Sequence, residues 1–204
     1  MAFLRRLRSL RSLRITADKR EIKDFPFIRK TLGDILEERT MKKHREKQEE
    51  KICILKVTLS DVFGGVRGKP HRILVIPKRF TWYRLAKEIV GAFDFDFDHC
   101  FGFFDNLKLW TESNECYELF KDIEKEQGLE PTHCKSVQKT RVGGVFNKIG
   151  RKMLFLFDYG DEWHFIVELK GLESPKQDIK YPLILESIGN VPPQYGEIEE
   201  DLPQ

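Results

Sequence analysis

The stretch MLFLFDYGDEWHFIVEL, residues 153–169, decides the fold. Met153 to Phe157 is an apolar, aromatic run of strand length, and Phe165 to Leu169 reads as a second strand. Tyr159-Gly160-Asp161 lies between them. A glycine flanked by acidic residues is turn chemistry: glycine tolerates positive φ, and a nearby carboxylate accepts from turn amides. The segment therefore predicts a β-hairpin with Gly160 at positive φ. Asp158 or Asp161 holds the turn, and Trp163 opens the second strand as an apolar anchor whose indole N–H needs an acceptor.

Upstream of the hairpin, Thr81 heads a segment in which Trp82, Leu85, Ala86, Ile89, Val90 and Phe93 fall at i, i+3, i+4, i+7, i+8 and i+11. That spacing predicts a helix with one face in the core. It runs into FDFDFDH, residues 93–99. Asp94, Asp96 and Asp98 hold the first, third and fifth places of a calcium loop, but His99 stands where that loop needs glycine and Asp105 where it needs a bidentate glutamate. The segment is read instead as an amphipathic exit from the helix. Further on, Ser113 or Asn114 caps a helix expected to run to about residue 127, with Cys116, Leu119, Phe120 and Ile123 inward. Gly128 is its expected C-terminal stop, and Pro131 prevents resumption.

Residues 52–59 alternate as a strand buried on much of both faces, and Ile73 to Ile76 form a return strand stopped by Pro77. Between them, FGGVRGKP, residues 63–70, has neither the Lys-Ser/Thr ending nor the G-x-G-x-x-G spacing of a phosphate loop, so it is read as a hairpin connection. The tail, with Pro182, Pro192, Pro193 and Pro203, is expected to be mostly irregular.

The charge of the chain is asymmetric. Residues 1–50 hold 15 Lys and Arg against 9 Asp and Glu, a balance of +6, whereas the whole chain carries +3 and the remainder therefore −3. Arg5, Arg6, Arg8, Arg11 and Arg14 fall within ten residues and suit phosphates or another anionic surface, so nucleic acid is a candidate partner. No apolar run is long enough to span a membrane. Residues 31–50 read as helical, with a polar end. The four cysteines, Cys53, Cys100, Cys116 and Cys134, form no C-x-x-C pair. Free thiols in a reducing cytoplasm are expected, and no metal, because the neighbours His99-Cys100 and His133-Cys134 do not resemble spaced zinc ligands.

Three stretches together carry a resemblance: ILKVTL with HRILVIP (54–59 and 71–77), FDFDFDHCFGFF (93–104), and MLFLFDYGDEWHFIVEL followed by KYPLIL and VPPQYG. Together they resemble the Ri-plasmid open-reading-frame-three family, the plasmid pRiA ORF-three-like proteins, over roughly residues 52–198. Asp158, Tyr159, Gly160, Asp161 and Trp163 fit its Asp-aromatic-Gly-Asp-x-Trp hallmark. The chain departs at His164-Phe165, where members commonly have Glu-His, and at Val191-Pro192-Pro193-Gln194-Tyr195, where they often have Cys-Pro-Pro-Glu-Asp. The resemblance implies a compact α+β domain and no established reaction.

The expected architecture is α+β. A mostly antiparallel sheet is covered on one face by helices at about 81–93 and 114–127, and a charged, partly helical extension (1–50) precedes a domain of residues 51–204. The expected function is a non-enzymatic intracellular binding module with an unidentified macromolecular partner and no cofactor. A nucleic-acid-associated protein using the basic arm is the alternative, and a small metal-dependent hydrolase the second. His99, Asp158, Asp161, Trp163 and His164 are the candidate binding residues; the motif is read first as a self-contained hairpin, and a functional reading would gather Asp158, Asp161, His164 and the Asp98-His99 pair at one end of the sheet. Two carboxylates with imidazoles there could hold a metal or move protons.

Overall fold

The computed structural model describes residues 34, 37–41, 51–60 and 68–195. The five arginines of the basic arm and the turn at 63–67 lie outside the described residues. Residues 37–41 are helical. The chain divides into two units between residues 46 and 47, and the sheet lies in the second.

Eight strands form one sheet: β1 (Ile52–Ser60), β2 (His71–Pro77), β3 (Phe101–Phe104), β4 (Cys116–Glu118), β5 (Lys135–Ser136), β6 (Lys152–Phe157), β7 (Trp163–Glu173) and β8 (Leu183–Ile188). Their spatial order is β5-β4-β3-β6-β7-β1-β2-β8. All pairs are antiparallel except β4 with β5. The hairpin of β6 and β7 forms as expected, from Phe157 opposite Trp163 to Lys152 opposite Glu168. The hairpin of β1 and β2 reaches Thr58 opposite His71, and the Leu59 amide donates to the Pro70 carbonyl.

Helix α1 (Trp82–Ala92) packs on one face of this sheet. Thr81 caps it, accepting from the Arg84 amide at 3.2 Å. Its stripe of Trp82, Leu85, Ala86, Ile89 and Val90 is fully buried against inward residues of the strands, among them Leu55, Val57, Phe155 and Phe165. Trp82 stacks on Tyr117 at 4.6 Å between ring centroids and lies 4.6 Å from Phe103. A smaller cluster of Phe104, Cys116, Cys134, Leu154 and Leu156 forms on the opposite face, covered by Leu107, Trp110 and Tyr159.

This corrects the expected fold class. The molecule is built on an eight-stranded mixed sheet with few, short helices, and two helices do not cover it. The second expected helix shrinks to α2 (Phe120–Gln127), whose one buried residue is Glu124. The spacing of Cys116, Leu119, Phe120 and Ile123 imitates a helical stripe, but Cys116 to Glu118 pair with β3 instead. All three are buried there, with Tyr117 on the Trp82 side of the sheet. Helix propensity is a weak prior when a strand position offers that much burial. Gly128 does end α2, at φ 64°.

Three further expectations change. The tail supplies β8, paired with β2. Cys116 and Cys134 form a disulfide, because the parallel pairing of β4 and β5 sets their Cα atoms 4.8 Å apart, while Cys53 and Cys100 stay free. In the hairpin turn the positive φ angles fall on Asp158 (58°) and Glu162 (49°), not on Gly160. Asp158 tolerates the left-handed region because its Oδ1 accepts the Gly160 amide at 2.8 Å.

Candidate functional site

FDFDFDH leaves the end of α1 with its phenylalanines inward. Phe95 lies 4.7 Å from the Trp163 ring, and Phe97 lies 5.3 Å from Phe101 and stacks on Phe157. The aspartates therefore point outward, as Asp94, Asp96 and Asp98 all do. Asp94 makes the bend at φ 60°.

His99 ends this segment between two carboxylates. Its Nδ1 lies 2.7 Å from Asp98 Oδ1, and its Nε2 lies 3.3 Å from Asp158 Oδ2. The other Asp98 oxygen accepts from the Tyr195 hydroxyl. Gln194 accepts from the Asp96 amide and donates to the Asp96 carbonyl and to Asp98 Oδ1, each at 3.3 Å. Asp158 is itself fixed, since its amide donates to the Cys100 carbonyl and its carbonyl accepts from Glu162.

The Tyr195 hydroxyl, and then His99, hold the Asp98 carboxyl below its usual range. The same contact pushes the Tyr195 phenol up to about 12. Burial raises the Cys100 thiol, and the neighbouring Asp158 charge raises it further. Beside the cluster, a cleft of about 400 Å³ opens between residues 93–95 and 189–194, with Arg72 in its wall.

Of the residues singled out from sequence, the structure brings His99 and Asp158 into contact. Asp161 is exposed in the turn and joins no hydrogen bond or ion pair with them among the described residues. Trp163 packs on Phe95, and its buried Nε1 has no hydrogen-bond partner among the described residues. His164 is directly opposite Leu156 in the β6–β7 ladder and therefore lies on the other side of the sheet from Trp163. It is buried, its Nε2 is 3.9 Å from Glu162, and burial lowers its pKa against the opposing pull of that carboxylate. Gln194 and Tyr195 were missed. The signal for them was weak, because a Pro-Pro-Gln-Tyr tail shows nothing of the loop it returns to.

Chemically, the cluster is closed on itself. Donors and acceptors from residues 96–99, 158 and 194–195 satisfy one another and strap three distant segments together.

Among the described residues no helix is long and apolar enough to cross a membrane. No curated protein matches the chain. A crystal structure described as a protein of unknown function, MM3350 from Methanosarcina mazei Go1, shares the fold. Its TM-score is 0.56 at 20% identity, over 71% of this chain and 74% of that one. The family described as plasmid pRiA4b ORF-3-like protein matches residues 51–199, which include every strand and both helices of the sheet domain, and the chain belongs to that family.

Proposed function

We propose that the domain is a non-enzymatic binding module of the cytoplasm that takes an extended segment of a partner protein along β8. The observation that carries this is the state of that strand. β8 ends the sheet, so one row of its backbone N–H and C=O groups faces outward without a strand partner among the described residues. Such an edge is a template for an added strand. Ile184, Leu185 and Ile188 are 49%, 61% and 46% exposed along it, more than single scattered surface residues would account for. A bulge between the pairs Ile73–Glu186 and Leu74–Ile184 leaves Leu185 without an opposite residue and turns it outward. The His99 cluster supports this reading over a hydrolase, because its polar groups already hold one another.

The test is selection from a displayed library of extended peptides, followed by affinity measurement. Enriched peptides should alternate apolar residues, lose binding when their backbone amides are N-methylated, and bind Leu185→Lys at least about tenfold more weakly. Peptides that bind the variant equally well would overturn the reading. So would a native dimer whose β8 amides are protected by a second copy.

A second reading rests on the +6 balance of residues 1–50. If the five arginines of the arm each neutralise one phosphate, duplex affinity should fall with salt at a log–log slope of about −4 to −5. Full-length protein that binds DNA no more tightly than a chain starting at Lys51 would remove it.

A further inference from the structure

We propose that Cys116, His133 and Cys134 form a site for a zinc-class divalent ion in their reduced state, and that the Cys116–Cys134 disulfide is the oxidised, metal-free state of the same site. The sulfurs of Cys116 and Cys134 and a ring nitrogen of His133 all lie within 4.8 Å of one another. His133 Nε2 is 3.3 Å from Cys116 Sγ. Two thiolates and an imidazole are the ligand set that zinc favours over harder cations. His133 and Cys134 are adjacent in sequence, which argues against a shared metal when the chain is read alone. The third ligand arrives from the neighbouring strand, and that changes the geometry.

The loop that carries two of the ligands is held in place. The Thr132 amide donates to Glu124 Oε2 at 3.2 Å, and its hydroxyl donates to Glu118 Oε2 at 2.8 Å. The Cys134 amide then donates to Thr132 Oγ1 at 3.2 Å. Behind the sulfurs, Phe104, Leu154 and Leu156 form an apolar wall, while His133 is exposed and leaves the other side open. With zinc–sulfur bonds of about 2.3 Å, two tetrahedral thiolates stand about 3.8 Å apart. Cα atoms 4.8 Å apart allow that separation by rotation of the side chains alone. Three protein ligands leave a fourth position for water or a small ligand.

The interconversion balances. Two molecules of a small thiol reduce the disulfide: their sulfurs join, and two protons and two electrons pass to Cys116 and Cys134. Metal binding then releases those two protons, because thiolates are the ligands. A small-molecule disulfide reverses the exchange. The Cys116–Cys134 bond re-forms, two small thiols result after protonation, and the ion is expelled. A reducing compartment favours the dithiol side. Cys53 does not compete, since it is buried in the core and its thiol is pushed up to about 11.

The test uses the full chain, reduced anaerobically with a water-soluble phosphine, which takes the oxygen of water as the two thiols form. Zinc is titrated against a chromophoric chelator, and cobalt is used as a spectroscopic probe that counts thiolate ligands. Reduced protein should bind one equivalent with two thiolates, and oxidised protein none. Cys53→Ala should match the wild type. His133→Ala should bind about tenfold more weakly or worse. That side chain is exposed and the variant keeps both cysteines, so it serves where Cys116→Ser or Cys134→Ser fails to fold. Reduced wild type without a stoichiometric site, or a His133→Ala titration indistinguishable from wild type, would overturn the proposal.

Discussion

Gly102 sits in β3 with aromatic rings folded over it. A Cβ there would lie 2.7 Å from two ring carbons of Phe104 and 2.8 Å from the Tyr159 hydroxyl. Neither ring can yield easily, since Phe104 is buried and Tyr159 donates to Glu118 at 2.9 Å. Gly102→Ala should therefore cost about 1–3 kcal/mol in urea unfolding. At Gly160 the outcome should differ. Its φ is not positive, and an added Cβ meets Asp158 Oδ1 at 3.2 Å, a single carboxylate oxygen that has to give by a few tenths of an ångström, so Gly160→Ala should cost less than Gly102→Ala, about 1 kcal/mol or under. The hallmark glycine was conspicuous in sequence, whereas the demanding one was not, because the strain depends on rings brought from β3 itself and the 158–162 turn. His164 gives a pH signature. Its folded pKa lies below the ordinary His value of about 6.5, so protonation favours the unfolded chain. Its stabilising contribution is complete above about pH 6.5 and is lost as pH falls through the lower folded value. Melting temperatures between pH 7 and 5 should therefore fall less steeply in His164→Gln than in the wild type.

At the scale of elements, α1 is the best test of the core. Leu85 is fully buried, and Leu85→Ala should destabilise by about 2–5 kcal/mol in denaturant melts. An exposed-site value below about 0.5 kcal/mol would mean that the helix face is not where the structure puts it. This helix and the two hairpins were legible because α1 repeats a helical period over eleven residues and the hairpin strands are alternating or continuous apolar runs of six or more residues bounded by turn signals. β3, β4 and β5 were not. They are four, three and two residues long, too short for a period to declare itself. Pairing decides their conformation instead, β3 with distant β6, β4 with β3 and β5 with β4. The candidate site divides in the same way. His99 and Asp158 could be suspected from chemistry, but Tyr195 and the Cys116–His133 contact depend on segments far apart in sequence that the folded sheet brings together.

For the whole molecule, the sheet domain holds a continuous core from Cys53 to Leu169, built from its own strands, α1 and the segments at 93–95 and 137–146. A chain starting at Lys51 should therefore unfold in one cooperative thermal transition. A melt without a transition would show that residues 1–50 complete the core. The sheet does not end equally at its two sides. At one, two-residue β5 is tied back through the disulfide that joins Cys134 to Cys116 of β4. At the other, β8 is held by Arg72. This buried guanidinium donates to Ala92 O at 2.8 Å and to Ile188 O at 3.1 Å, and it lies 4.7 Å over the Phe93 ring. Its charge also faces the carbonyl end of α1, where a cation is favoured.

Arg72 gives β8 a direction of fraying. Peeling the strand from its Leu183 end breaks ladder bonds one at a time, but peeling past Ile188 also strips a buried cation of an acceptor, which costs far more. Among the β8 amides that face β2, exchange with heavy water should therefore be fastest near Leu183 and slowest toward Ile188, although both ends belong to an edge strand. Replacing Arg72 with methionine should level that gradient, turning a strand that opens from one end into one that opens from both.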